Sequence, residues 1–250
     1  MLSLQNISKT FPTLQQPVLE DINLHIKAGE YCVVVGSNGS GKSTLFKVIS
    51  GEYECDSGRI TIDNTDVTSA SFSSRAKYIA SVVQDISKGT VGDLTVMENL
   101  VLSNMKSRDA RLNFYELSSG NIVQQIKSLE LGLENLINQK MSSLSGGQRQ
   151  SIATLIATHP LPKLLLLDEH TSALDPKTRH IIMEFTDRVI KQNRITTMMI
   201  THNIQDALKY GNRLLIMSNG KIICNFDSKA KFNLSEDKIL DILHQAGEGL

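Results

Sequence analysis

The sequence predicts an α/β fold built around a largely parallel sheet. Three near-continuous apolar runs, at 31–35, 163–168 and 195–201, are typical of strands buried on both faces of such a sheet. Each run leads into polar residues: a glycine-rich stretch after the first, an acidic pair at the end of the second and a histidine after the third. Because ligands of open α/β sheets bind at the carboxyl ends of the strands, these polar residues are expected to share one edge.

The N-terminal part of the chain is predicted to consist of strands and turns. Residues 1–35 contain two extended segments separated by Pro12 and Pro17, which we interpret as an N-terminal antiparallel β subdomain. A helical pattern follows the glycine-rich stretch and stops at Gly51, as helices commonly do. A short strand pair is then predicted at 57–64.

The middle of the chain differs from its flanks in amino-acid composition and hydrophobic periodicity. Between 85 and 157 the sequence is richer in Leu, Asn and Ser and follows a helical periodicity. Strands are predicted on either side of it, at 77–84 and 163–168. Residues 85–157 are therefore expected to form an α-helical subdomain inserted between two strands of the core.

The C-terminal part alternates between helices and strands again. A helix is expected at about 176–192, and an amphipathic helix at 235–244 closes the pattern. Asn219-Gly220 stands between two apolar runs, which predicts a β-hairpin with a type I′ turn.

These elements predict a single domain that carries an insertion. Residues 1–84 and 158–235 are assigned to the core with its β subdomain, and 85–157 to the helical insertion. Residues 236–250 are assigned to a C-terminal helix and tail.

Composition excludes several classes of protein. The 250 residues contain 26 Lys and Arg and 26 Asp and Glu, so no overall basic field favours nucleic acid as a partner. No apolar run reaches the ~18 residues of a membrane span, and the N-terminus lacks a secretory signal pattern. The three cysteines suit neither a disulfide framework nor a metal site. We therefore expect a cytoplasmic protein with reduced thiols.

The glycine-rich stretch GSNGSGKST at 36–44 matches the pattern of a phosphate-binding loop, G-x-x-x-x-G-K-[ST], between a predicted strand and a predicted helix. Its backbone N–H groups and the start of the helix suit the phosphates of a nucleotide. Lys42 can neutralise the β and γ phosphates, Ser43 can ligate Mg²⁺, and the Thr44 N–H can bind the α phosphate. The predicted contacts are Gly36, Ser37, Asn38, Gly39, Ser40, Gly41, Lys42, Ser43 and Thr44.

Other strand ends supply candidate catalytic residues. Asp168 can hold Mg²⁺ through a water molecule, and Glu169 can act on the attacking water as a base or polariser; an acidic pair of this kind can also cap a helix. His202 can donate a hydrogen bond to the γ phosphate, and Gln84 can reach both the metal and the water. A histidine or a glutamine at a strand end is also commonly structural.

A second glycine motif lies in the segment MSSLSGGQRQ at 141–150. Ser145, Gly146 and Gly147 begin a predicted helix, which suits an anion, yet the motif has neither a lysine nor a preceding strand. Two chains packed head-to-tail would give each nucleotide one phosphate loop and the partner's motif, including Gln148. Catalysis would then require a homodimer.

The motifs in this order resemble the ATP-binding subunits of ABC transporters over about residues 2–225. The matching segments are Walker A at 36–44, the Q-loop Gln84, the signature LSGGQ at 144–148, Walker B at 164–169, the D-loop SALD at 172–175 and the switch His202. The resemblance implies a phosphate-loop NTPase core with a RecA-like mixed sheet, ATP and Mg²⁺ as ligands, and ATP hydrolysis. It places Phe11 at the aromatic position that stacks on adenine, with a core aromatic as the alternative, and Asp175 at the dimer seam beside the nucleotide.

A narrower resemblance is carried by 84–100, 164–178 and 201–223. These segments are similar to a bacterial importer subgroup whose members are often labelled tryptophan or tyrosine transporters, and whose pattern includes His170. It implies partners in the form of integral-membrane permease subunits and an extracytoplasmic substrate-binding protein, with this chain on the inner face of the membrane. The permease is expected to dock on the helical insertion, so that opening and closing of the ATP-dependent dimer drives alternating access.

Other functions remain open at this stage. An exporter ATPase shares every motif, and a soluble ABC ATPase without a membrane partner differs mainly in its associates. A nucleotide sensor without enzymatic activity is disfavoured by the presence of both Glu169 and His202. The transported substrate is not determined by this chain, because its recognition belongs to the permease and the binding protein.

Overall fold

The computed structural model describes residues 1–83, 89–105, 124, 126–127, 132–158 and 161–246. The strands are β1 (Leu2–Lys9), β2 (Leu19–Ile26), β3 (Tyr31–Val35), β4 (Ser57–Ile62), β5 (Thr65–Asp66), β6 (Ile79–Val82), β7 (Leu164–Asp168), β8 (Thr196–Ile200), β9 (Arg213–Ser218) and β10 (Lys221–Phe226). The helices are α1 (Lys42–Ser50), α2 (Phe72–Arg75), α3 (Val96–Met105), α4 (Gly146–Thr158), α5 (Pro176–Asn193), α6 (Ile204–Lys209), α7 (Ser228–Phe232) and α8 (Glu236–Gln245).

The core sheet has the strand order β10-β9-β3-β8-β7-β6. All neighbouring strands from β9 to β6 are parallel, and only β10 runs antiparallel to β9. The two residues between β9 and β10, Asn219 and Gly220, have φ values of 46° and 74°, as a type I′ turn requires. The predicted mixed α/β sheet and its closing hairpin are therefore confirmed.

The strands of the core sheet are apolar throughout because both of their faces are covered. In β3, Cys32 and Val34 belong to a hydrophobic cluster on the α1 side, whereas Val33 and Val35 belong to a second cluster on the α5 side. The strands β7 and β8 divide their side chains in the same way. This arrangement explains why the sequence shows runs rather than alternation at these strands.

The N-terminal antiparallel sheet has the order β2-β1-β4-β5. Its buried side chains, such as Leu2, Leu24 and Ile60, lie in the same cluster as one face of the core sheet and the buried side of α1. The β subdomain and the phosphate-loop helix thus share one core. A shared core fixes the position of the N-terminal sheet relative to the loop at 36–44.

The insertion contains helices, as expected. Val96 and Leu100 of α3 and Ile152 and Leu155 of α4 form a third hydrophobic cluster together with Phe185 of α5. The helical pattern at 120–131 and Gln84 lie wholly or mostly outside the described residues. The limits assigned to the insertion and to the C-terminal tail stay predictions.

The sequence analysis assigned no helix to α2, α6 or α7, which have four to six residues each. Each has a side-chain cap at its start: Ser71 for α2, Asn203 for α6 and Asp227 for α7. Such short helices contain too little periodicity to be distinguished from turns. Among the described residues, no helix combines the length and the apolar character needed to cross a membrane.

Candidate active site

The phosphate loop at 36–44 connects β3 to α1 and lies close to neighbouring backbone. A Cβ on Gly36 (φ 155°) would lie 2.2 Å from the carbonyl oxygen of Met217, and a Cβ on Gly41 (φ 97°) would lie 2.6 Å from that of Val18. Both glycines are therefore required by packing within the chain itself. This packing is separate from the phosphate binding that the loop pattern predicts.

The start of α1 is open to an anion. Its N-cap, Gly41, supplies no side-chain hydrogen bond, so the N–H groups of the first turn have no competing side-chain cap. The Lys42 ammonium lies inside the loop, where Nζ donates to the carbonyl oxygens of Gly36 (2.8 Å) and Ser37 (2.6 Å). The Lys42 ammonium and the positive end of the α1 dipole thus both favour an anion at the loop.

Two of the three predicted metal ligands, Ser43 and Asp168, are in contact. The Ser43 hydroxyl donates to Oδ1 of Asp168 at 3.3 Å, across 125 residues of sequence. Burial raises the pKa of Asp168 and the Glu169 carboxylate acts in the same direction, whereas the hydrogen bond from Ser43 lowers it. A hydroxyl and a carboxylate are the oxygen ligands that Mg²⁺ prefers, so this pair fits the ion. Asp168 ends β7 rather than capping a helix, and α5 is capped by Asp175.

Glu169 and His202 come together from the ends of two adjacent strands. His202 Nδ1 lies 3.5 Å from Glu169 Oε2. Glu169 has a left-handed backbone (φ 48°), and its N–H donates to the carbonyl of Ile200 at 3.2 Å. This conformation is costly for a residue with a side chain, by about 1–2 kcal/mol. Strain of this kind is concentrated at functional sites.

The residue that follows Glu169 in the sequence is buried. His170 is only 2% exposed, and burial lowers the pKa of its imidazole to about 4, with a smaller contribution from Arg179. Arg179 of α5 forms a partly buried ion pair with Asp206 of α6. This pair links the helix that follows the D-loop to the helix that follows His202.

The signature motif lies at the start of α4, as predicted. The backbone N–H of Ser145 donates to Oε1 of Gln148 (3.0 Å), and the N–H of Gln148 donates to Oγ of Ser145 (3.3 Å). This reciprocal arrangement is a capping box. A Cβ on Gly146 would meet nothing within 4 Å, whereas one on Gly147 would lie 3.2 Å from Cγ2 of Thr178.

Phe11 belongs to an aromatic pair rather than to the buried core. Its ring is partly buried and lies edge-to-face against Tyr53, with 5.2 Å between centroids and an angle of 79°. The ammonium of Lys9 lies 5.6 Å from the Phe11 centroid, and that of Lys47 lies 5.1 Å from the Tyr53 centroid. Tyr53 is not predictable as part of this pair from the sequence, because a single tyrosine in a loop carries no local signal.

Asp175 is exposed and accepts hydrogen bonds from the N–H groups of Lys177 and Thr178, both at 3.1 Å. The hydrogen bonds with Thr178 hold the pKa of Asp175 below its ordinary value.

The structure thus brings together the phosphate loop, Asp168, Glu169 and His202. The roles assigned to all of these residues, and to Gln84, remain predictions.

Comparisons with known proteins show which family this chain resembles. A sequence profile of the family described as ABC transporter matches residues 19–172. A tyrosine transport ATP-binding protein of Clostridioides difficile is 39% identical over 245 residues, covering 96% of this chain and 98% of that protein. A phosphonates import ATP-binding protein of Mesoplasma florum is 30% identical over 256 residues, covering 97% and 99%.

Longer proteins contain a similar region. The chain is 33% identical over 222 residues to an ATP-dependent lipid A-core flippase of Methylobacillus flagellatus, covering 88% of this chain, and it spans 36% of that protein's length. A solved dimer of the ATP-binding cassette MJ0796 in a post-hydrolysis state, bound to ADP and Pi, superposes with a TM-score of 0.79 at 29% identity, covering 91% of this chain and 99% of that one. On this evidence the chain belongs to the ABC transporter family, as an ATP-binding subunit that hydrolyses ATP.

Proposed function

We propose that this chain powers a membrane ABC importer for an amino acid, with tyrosine or tryptophan as the first candidates. The observation that carries this proposal is the 39% identity to a tyrosine transport ATP-binding protein over 96% of the chain. The matches to a lipid A-core flippase, at 33% over 222 residues, and to a leptomycin B resistance protein, at 37% over 210 residues, cover only 36% and 15% of those proteins. The substrate itself is recognised by other subunits, so the similarity of this chain supports a substrate class rather than one compound.

Nucleotide binding is assigned to the edge where β3 and β7 end. Lys42 exchanges its acceptors on Gly36 and Ser37 for oxygens of the β and γ phosphates, while the first N–H groups of α1 bind the phosphates directly. Ser43 and Asp168 hold Mg²⁺, which neutralises charge on the phosphates when it is bound. Phe11 stacks on the adenine, backed by Tyr53.

The second half of each site is assigned to another copy of the chain, packed head-to-tail. Ser145, Gly146, Gly147 and Gln148 of that copy close over the γ phosphate. Ser145 and Gln148 satisfy each other in the single chain, so they exchange these hydrogen bonds for phosphate oxygens as the dimer forms. Support comes from the related MJ0796 cassette, whose structure with ADP and Pi is dimeric.

Hydrolysis is assigned to the ends of β7 and β8. Glu169 orients a water molecule for in-line attack on the γ phosphate, and Gln84 contacts that water and the metal. His202 and Lys42 stabilise the charge that develops on the γ oxygens. Asp175 lies at the dimer seam. Loss of the γ phosphate removes the contacts that joined the two chains, so the dimer opens.

Opening and closing are coupled to transport through permease subunits that dock on the helical insertion. The chain is accordingly placed on the cytoplasmic face of the membrane, in a complex that also includes an extracytoplasmic substrate-binding protein and no nucleic acid. The balanced charge of the chain supports the absence of nucleic acid.

Uptake in cells that lack this chain tests the proposal. Accumulation of radiolabelled tyrosine and tryptophan is measured in the deletion strain and after complementation with the wild type or with Glu169→Gln. We expect uptake of at least one of these amino acids to be lost, restored by the wild type and not restored by the variant. Phosphate uptake serves as the control solute. Unchanged uptake of both amino acids in the deletion strain contradicts the proposed substrate class.

A further inference from the structure

A small cavity lies beside Glu169. The loop after β7, the first turns of α5 and the end of β8 enclose it. Its volume, about 10 Å³ open to the centre of a water molecule, matches the ~10–15 Å³ that one buried water requires. The residues of its wall that matter here are Glu169, His170, Ser172, Arg179 and His202.

Two polar atoms of this wall are buried without a hydrogen-bond partner in the described structure. They are Nε2 of His170 and Oγ of Ser172. Leaving such an atom unpaired costs about 1–3 kcal/mol, and buried polar groups without protein partners are normally bound to water. The ring nitrogen of a neutral histidine and a serine hydroxyl can each donate or accept, so one water can satisfy both.

The same turn determines the conformation of Glu169. Its carbonyl accepts from the N–H of Ser172 at 3.0 Å, and its own N–H donates to Ile200 at 3.2 Å. Between these two bonds the backbone is left-handed, at φ 48°. Ser172 therefore contacts Glu169 through its backbone and also lines the cavity.

The opposite wall is fixed as well. Arg179 lines the cavity and is paired with Asp206, so α5 and α6 are tied together beside it. A ligand in the cavity would thus lie beside an ion pair that connects these two helices.

We propose that this cavity holds one water molecule bound by His170 Nε2 and Ser172 Oγ, and that His170 acts through it as a positioning residue that fixes the turn presenting Glu169. The inference rests on the proposed role of Glu169 in orienting the attacking water. His170 touches neither the nucleotide nor the reacting atoms in this assignment.

The water is tested directly by NMR on the wild-type chain. Long-range ¹H–¹⁵N spectra report whether Nε2 of His170 is hydrogen-bonded, and exchange-filtered water contacts report a long-lived water beside the ring. We expect both signals, and we expect the Nε2 resonance to shift in Ser172→Ala. A free Nε2 with no long-lived water beside it overturns the proposal.

The positioning role is tested by kinetics. His170→Phe keeps a ring of similar size but removes the bonding atom, and we expect kcat for ATP to fall about tenfold to a hundredfold while KM changes by less than about twofold. His170→Gln retains a polar end and is expected to recover most of the lost kcat. A double-mutant cycle of His170→Phe with Ser172→Ala is expected to be non-additive, because both changes remove the same water.

Three outcomes separate this inference from the proposed catalytic role. Wild-type kcat in His170→Phe overturns the inference. Normal turnover in Glu169→Gln instead overturns the role of Glu169 and with it the positioning role, while the NMR evidence for the water still stands. If His170→Phe fails to fold, Ser172→Ala carries the kinetic test, and unchanged kcat in that variant overturns the inference.

Discussion

Helices α1 and α4 both begin at glycine motifs, but their first turns are satisfied differently. The start of α1 follows Gly41 and has no side-chain cap, whereas the start of α4 is closed by the reciprocal pair of Ser145 and Gln148. An uncapped helix start keeps its N–H groups for an anion. A capped one must give up hydrogen bonds before it can bind the same anion.

This difference shows how one chain can contribute one half to each of two nucleotide sites in a dimer. Near α1, a half-buried carboxylate at Asp168 and a lysine bound to carbonyl oxygens provide groups for both a metal cation and phosphate anions. Near α4, the N–H groups of Ser145 and Gln148 already have hydrogen-bond acceptors within the single chain. The first site is therefore expected to bind nucleotide in a single chain, and the second only when a partner brings its nucleotide to it.

The largest effect is expected at the first site. Gly41→Ala places a Cβ 2.6 Å from the Val18 carbonyl in a left-handed residue. The conformational strain of about 1–2 kcal/mol adds to the clash, so we expect the Kd for ATP to rise about a hundredfold. Fluorescence titration with an ATP analogue measures it. Gly132→Ala is the matched control, because Gly132 also has a positive φ but open surroundings; equal losses in both variants would remove the special position of Gly41.

The second site is expected to affect turnover without affecting binding. Ser145→Arg blocks the start of α4, and we expect ATP hydrolysis to fall about a hundredfold while the Kd of the single chain stays within about twofold. In a Glu169→Gln background, which should accumulate an ATP-bound dimer, the added Ser145→Arg should restore the monomer by light scattering. Lost nucleotide binding in Ser145→Arg would assign α4 to a site within one chain.

Asp168→Asn separates stability from activity at the first site. Burial raises the pKa of Asp168, so the folded chain binds its proton more tightly than the unfolded chain, and stability falls as pH rises through the pKa of the folded state. Asparagine removes this penalty, and we expect the Tm of the nucleotide-free chain at pH 7 to rise by about 2–4 °C while Mg²⁺-dependent hydrolysis is lost. The gain in Tm should shrink as pH falls below that pKa. A lower Tm at pH 7 would contradict the proposed cost of burying the ionised Asp168 carboxylate.

The smallest effect is expected from removing the cap at the start of α4. Ser145→Ala removes the cap, and we expect the free energy of unfolding in urea to fall by about 1 kcal/mol. Ser142→Ala, three residues earlier and exposed, is the control. If the two variants are equally stable, the capping box does not stabilise the free chain and the contrast with α1 disappears.

Much of the fold was predictable because it depends on neighbours in sequence. The apolar run at 31–35, the stop at Gly51 and the hairpin at Asn219-Gly220 each express a local preference of the backbone or of strands buried on both faces. The glycine-rich loop and the acids at the end of β7 were found for the same reason. The residues that give each motif its chemistry lie within a few positions of one another in the sequence.

Other features depend on where distant segments meet. Arg75 looks like an exposed residue in the sequence, yet it is 2% exposed and donates to the carbonyls of Val48 and Ile49 at the end of α1. Lys231 is buried in a similar way and donates to Tyr210 and Gly211. No spacing rule predicts such contacts, because the partners lie 20 or more residues away.

The sequence by itself determined the strands, the phosphate loop and the residue types at each strand end, since these follow from local periodicity and the requirements of phosphate binding. Only the tertiary structure decided that Gly36 and Gly41 press against Met217 and Val18, and that Ser43 reaches Asp168. It also decided that His170 is buried beside Glu169. The physical reason is that burial and close contact are properties of the assembled chain path, which local preference does not specify.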